Sequence, residues 1–149
     1  MAVRGASAAV TVPPELCGLW RRVVLETPDA PPDTTTRVWW LQTPTLYADL
    51  RLPAERQSVT PRTTLAAATD ADLAALALQA GFAGQTWLDG TLCRWRRDVD
   101  YQPPSGVPDE GRLDIGDGRI VEDGVHAAYR EVWQRENDST GDWIARRWT

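Results

Sequence analysis

The stretch RVWWLQ-TPT-LYADLRL, running from Arg37 to Leu52, decides how this chain is read. Both flanks are short and rich in aromatic and aliphatic residues, and Pro44 between them has no amide to give to a ladder. That pattern is a tight hairpin between strands 37–42 and 46–52. In the second strand Leu46, Ala48, Leu50 and Leu52 fall on one face. Tyr47, Asp49 and Arg51 fall on the other, because successive side chains of a strand point to opposite sides. Such alternation belongs to an antiparallel sheet.

Working outward, the segment 16–26 carries Leu19, Val23 and Leu25 and reads as an earlier strand, opened by Gly18-Leu19-Trp20. Residues 27–35, with Pro28, Pro31 and Pro32, read as a loop. Thr69-Asp70-Ala71-Asp72 followed by Leu73, Leu76 and Ala77 is a capped amphipathic helix over 70–80, stopping at Gly81. Segments 85–88 and 91–98 flank Asp89-Gly90, a dipeptide suited to a type I′ turn. Segments 113–115 and 119–121 flank Gly116-Asp117-Gly118. Residues 125–136 fit both helical and strand spacing. The strand count elsewhere favours a strand. A last strand is expected over 143–148.

These elements predict a mainly β, antiparallel barrel of about eight to ten strands with one short helix. Trp20 would plug one end, with Arg146 or Arg147 stacked on the indole. The strand 143–148 ends close to Thr149, so closure of the barrel would draw on a further segment or a partner chain. Residues 1–14, ending in Pro13-Pro14, read as a flexible leader, and 15–149 as one domain.

Composition narrows the chemistry. The chain has 149 residues, enough for a single sizeable core. It holds 8 Trp against 3 Tyr and 1 Phe, so indoles dominate whatever interior forms. All 16 basic residues are arginine, which excludes Schiff-base catalysis through a lysine amine. A net charge of −5 argues against nucleic acid or an anionic membrane as partner. Cys17 and Cys93 are too few for a disulfide framework, and the lone His126 cannot supply a multi-histidine metal site. No metal or cofactor is expected. The opening residues lack the apolar run of a signal peptide, so a cytoplasmic location is expected.

Gly18-Leu19-Trp20, the many short antiparallel runs and the arginines near the end resemble the lipocalin-like (calycin) barrels. More narrowly, Trp40-Leu41-Gln42-Thr43-Pro44 with Tyr47-Ala48-Asp49-Leu50-Arg51 looks like a motif of a poorly characterised lipocalin-like group of fungi and bacteria. The resemblance implies a barrel with a ligand cavity. It departs from the secreted lipocalins in having no clear signal peptide or disulfide, and in a helix placed mid-chain.

The Tyr47-Asp49-Arg51 stripe has two readings. It is a solvated ladder, or it turns inward onto a polar cavity while the helix covers the outward leucines. In the second reading Asp49, Arg51 and Glu131 must pair, because charge in a low-dielectric interior needs a partner. Asp49, Glu131 and Tyr47 are then the candidate acid/base groups. Trp40, Gln42, Arg51, Trp95, Tyr129 and Trp133 are the candidate ligand-binding residues. Cys93 reads as an inert buried thiol and His126 as a rim residue. Three functions are weighed on this scaffold. The first is a small-molecule-binding barrel; the second, a cofactor-independent isomerase, dehydratase or cyclase. The third is an interaction module, pairing through its terminal strand with a second copy or another protein.

Overall fold

A computed structural model of the chain describes residues 11–55 and 64–136. It is mainly β, as the alternation predicts. The strands are β1 (Gly18–Thr27), β2 (Ala30–Asp33), β3 (Arg37–Gln42), β4 (Leu46–Leu52), β5 (Ala80–Asp89), β6 (Leu92–Asp100), β7 (Asp109–Gly116), β8 (Arg119–Gly124) and β9 (Arg130–Arg135). One helix, α1 (Asp70–Ala77), stands between β4 and β5, preceded by a 3-10 turn at Leu65–Ala67.

Strands β3 to β9 each pair antiparallel with the next in sequence, and β1 pairs with β3. β9 then returns to β1, from Trp20 opposite Arg135 to Glu26 opposite Arg130, with a bulge between Arg22 and Val24. Eight strands therefore close an up-and-down barrel, which removes the exposed edges an open sheet would carry. Closure is complete within the described residues and draws on no further segment. The closed barrel with one short helix is consistent with a lipocalin-like fold. The expected strand 143–148 lies outside the described residues, as do residues 1–10 of the expected leader; Val12 is buried, and its amide donates to the Pro44 carbonyl at 2.8 Å.

Several local expectations are corrected. The proline-rich segment 27–35 is not all loop: β2 folds back on the end of β1, pairing Asp33 with Leu25 and Ala30 with Thr27. β2 is the outermost strand in the pairing order, which is where Pro31 and Pro32 lose nothing by lacking an amide. The β5–β6 turn sits one residue later than expected, on Gly90-Thr91, since Asp89 pairs with Leu92. Only Gly90 there has a positive φ, 58°, which rules out type I′. The helix has the expected capping box between Thr69 and Asp72, but it ends at Ala77, so Ala80 and Gly81 belong to β5. It leaves the leucine stripe of β4 partly bare, with Leu50 42% exposed.

The two ends of the barrel differ. At one end β3–β4, β5–β6 and β7–β8 are joined by short turns, and residues 12–17 cross beneath the strands. Leu16 and Trp20 are fully buried there. The Trp20 indole N–H donates to the Leu16 carbonyl at 2.9 Å. Among the described residues Arg135 stacks on this indole, with its guanidinium carbon 4.2 Å from the ring centroid. Arg146 and Arg147 lie outside the described residues. Arg135 also donates to the carbonyls of Cys17 (2.6 Å) and Glu15, so one side chain ties the last barrel strand to the crossing segment. At the opposite end lie the longer connections: the helix-bearing β4–β5 segment, the β6–β7 loop and the β8–β9 loop.

Candidate functional site

Barrel closure decides which face of β4 looks inward. Tyr47 and Asp49 are buried, 4% and 8% exposed, while Ala48 and Leu50 face out. The polar stripe therefore lines the interior. Each strand adds inner-face residues at a spacing of two, and together they enclose a cavity of about 330 Å³ at the open end. Its walls hold Trp40 of β3, Tyr47, Asp49 and Arg51 of β4, Trp95 of β6, and Glu131 and Trp133 of β9. Tyr129 reaches in from the β8–β9 loop.

Most of the residues singled out from the sequence thus meet in one chamber. Gln42 does not line it. It lies fully buried below, with its amide oxygen accepting from the Trp40 indole (3.1 Å) and the Thr86 hydroxyl (2.8 Å). Its amide nitrogen donates to the Thr43 carbonyl at 2.7 Å. Gln42 is therefore part of the support beneath Trp40. Cys93 is buried and burial pushes its thiol up, the opposite of an activated nucleophile. His126 stands at the surface against Glu110, 2.9 Å away.

The indoles pack edge to face: Trp40 against Trp95 with centroids 5.7 Å apart, and against Trp133 at 5.5 Å. Such pairs lock one another's orientation and give the cavity a rigid aromatic wall. Tyr47 packs edge-on against Phe82 at 6.1 Å. The Tyr47 hydroxyl is buried with no hydrogen-bond partner among the described residues. Burial also holds its proton on, well above the usual phenol range.

The charged groups are mostly matched. Asp49 accepts from Arg51 Nε at 2.8 Å; burial nevertheless pushes its carboxyl up, with the Arg51 charge opposing. Glu131 does not pair with Arg51 as expected. Its partner is Arg22 of β1, which donates to Glu131 at 2.8 Å and to Asp33 at 2.7 Å. The bulge between Arg22 and Val24 lies at this point of the β1–β9 ladder. Arg97 sits over the Phe82 ring, 3.6 Å from its centroid, and pairs with Asp109 at 2.8 Å.

Glu122 of β8 is the exception, and sequence reasoning passed over it. It lies directly across the ladder from Glu131. Its oxygens accept from the Tyr129 hydroxyl at 2.7 Å and the Trp133 indole N–H at 3.1 Å. Among the described residues no cation lies within ion-pair distance of it. Burial pushes its carboxyl up to about 8, and the like charge of Glu131 adds to the shift. Two glycines make the room. A Cβ on Gly111 would meet Glu122 Cγ at 2.9 Å, and one on Gly124 would meet the Tyr129 ring at 2.4 Å. The signal was present in period two: Glu122 shares a strand face with Ile120, the most buried residue of β8.

Among the described residues no cluster of His, Cys, Asp and Glu is suited to a metal ion, and no helix is long and apolar enough to cross a membrane. No family model matches the chain, and neither the curated proteins nor the solved structures include a match to it.

Proposed function

We propose that the barrel binds one small molecule in the cavity at its open end, in the manner its resemblance to lipocalin-like barrels implies. The observation that carries this reading is the Tyr47 hydroxyl, buried in a chamber walled by three indoles and without a hydrogen-bond partner among the described residues. A buried hydroxyl without a hydrogen bond costs about 1–3 kcal/mol, and a ligand group reaching it would recover that cost. The volume of about 330 Å³ suits a ligand of modest size.

The test is intrinsic Trp fluorescence and thermal shift against a broad metabolite panel, on the native chain and on Asp49→Asn and Arg51→Ala. Saturable quenching that weakens in both variants is expected. A panel that changes neither fluorescence nor melting temperature would overturn the reading.

A second reading has its own observation. Glu122 holds its proton to about pH 8, and Glu131, across the ladder from it, lies 2.8 Å from the Arg22 guanidinium. Two facing carboxyls in such different surroundings, one among neutral donors and one against a guanidinium, are the makings of an acid/base couple. Turnover by Glu122 as acid, with Glu131, Asp49 or Tyr47 assisting, is therefore the alternative. Product analysis of every ligand that binds separates a carrier from an enzyme.

A further inference from the structure

We propose that the ligand is a nitrogenous cation carried on a flat apolar body, its charged nitrogen seated against Glu122 and its body against Trp40, Trp95 and Trp133. The assignment rests on the binding reading above and adds the chemical class. Its first support is the pairing pattern. Asp49 has Arg51, Glu131 has Arg22 and Asp109 has Arg97. The cavity arginines are thus already matched by carboxylates, so an anion would have to displace one. Among the described residues Glu122 meets only the neutral donors of Tyr129 and Trp133. An ionised carboxylate offers about four acceptor positions, and two are filled. A cation is the group the chamber lacks.

The second support is independent of any carboxylate. Aromatic faces attract cations through the ring quadrupole, and indole does so best. Trp40, Trp95 and Trp133 all line the cavity, and Trp133 also donates to Glu122, which fixes one indole beside the charge. The Tyr47 hydroxyl, buried and without a partner among the described residues, offers a lone pair to an N–H of the same ligand.

Binding would then be linked to pH. Burial holds Glu122 protonated at neutrality, and a cation must displace that proton. The groups facing Glu122 are Glu131 across the ladder, Asp109 from β7, Tyr129 from the loop, Arg51 from β4 and Cys93 from β6. Burial holds Cys93 and Tyr129 protonated through the neutral range, and Glu131 is charge-paired with Arg22. Burial lifts the Glu122 carboxyl to about 8, which links this site to pH near neutrality.

The test is calorimetric titration of the full chain with four matched probes: benzyltrimethylammonium, phenethylamine, 2-phenylethanol and phenylacetate. At pH 9 the two cations should bind about tenfold tighter than the alcohol. Below the Glu122 pKa their affinity should fall about tenfold per pH unit, with about one proton released per ligand at pH 7. Glu122→Gln should weaken both cations and remove the pH dependence of their binding. Should that variant fold poorly, proton release by the native chain in two buffers of different ionisation enthalpy decides alone. Equal or tighter binding of the alcohol or the acid, or cation affinities unchanged in Glu122→Gln, overturns the cation assignment and leaves the binding reading standing. Failure of all four probes also overturns it. A silent metabolite panel overturns both.

Discussion

The floor of the barrel and its open chamber are built from the same residue types and behave oppositely. In the floor every polar group has found a neutral partner within the chain. The Trp20 indole reaches the Leu16 carbonyl, Gln42 takes up Trp40 and Thr86, and Arg135 spends its charge on two carbonyls and an indole face. In the chamber, among the described residues, a phenol lacks a partner, one carboxyl lacks a cation and two glutamates face each other. A satisfied polar network specifies a single packing, whereas unsatisfied groups store the free energy that a ligand can release. The contrast separates the half of this barrel that holds the fold from the half that has something left to bind.

The largest effect should come from the floor. Trp20→Ala removes a fully buried indole, strands the Leu16 carbonyl and leaves Arg135 without its stacking surface. A loss of about 3–5 kcal/mol is expected, read as a lower denaturant midpoint. If the floor yields less than 1 kcal/mol here, the division between the halves fails.

The boundary between them is Arg22. Arg22→Met leaves Glu131 buried without its ion-pair partner, an expected cost of about 3 kcal/mol in equilibrium unfolding. Adding Glu131→Gln should restore most of the loss, because the uncompensated charge is then gone. No restoration would mean that Arg22 acts through packing.

The pH dependence sharpens the comparison further. Glu122 keeps its proton to about 8 in the folded chain and loses it at the ordinary 4.5 when unfolded. The native state therefore binds more protons between those values, and this group's contribution to stability falls as pH rises through the window. Asp49 is pushed in the same direction, whereas Asp33 is held low by amide donors from Thr35 and Thr36. Comparing native chain with Glu122→Gln at each pH isolates the glutamate. The variant should show a flatter stability profile across the window; identical slopes would place the proton elsewhere.

The smallest effects have opposite signs. Thr86→Val in the floor strips a hydrogen bond from Gln42 and should cost about 1 kcal/mol. Tyr47→Phe in the chamber removes a hydroxyl that bonds none of the described residues, so stability should hold or rise by up to about 1 kcal/mol. Melts of the two variants side by side check this, and a drop for Tyr47→Phe would show that the hydroxyl already has a partner.

Much of this was legible along the chain. The hairpin around Pro44, the capping box at Thr69 and the turn at Gly118 follow from local chemistry: a missing amide, a reciprocal cap, a glycine. The strand within 125–136 follows only from the strand count elsewhere, since its local spacing fits a helix as well. Period two also told which residues share a face. It could not tell which face is inside. Tyr47, Asp49 and Arg51 turn inward while Leu50 stays exposed, because the curl of the closed sheet selects the face and the pattern alone does not. Nor could spacing reveal that Arg22 serves Glu131, that Arg135 stacks on Trp20, or that Glu122 is a cavity carboxyl with no cation beside it among the described residues. Those pairings join residues of different strands, more than a hundred positions apart in the case of Arg22 and Glu131. Local sequence determined the strands and their faces, since those depend on neighbours in the chain. Tertiary structure decided the chamber and its charge, since burial and ion pairing depend on which strands closure brings together.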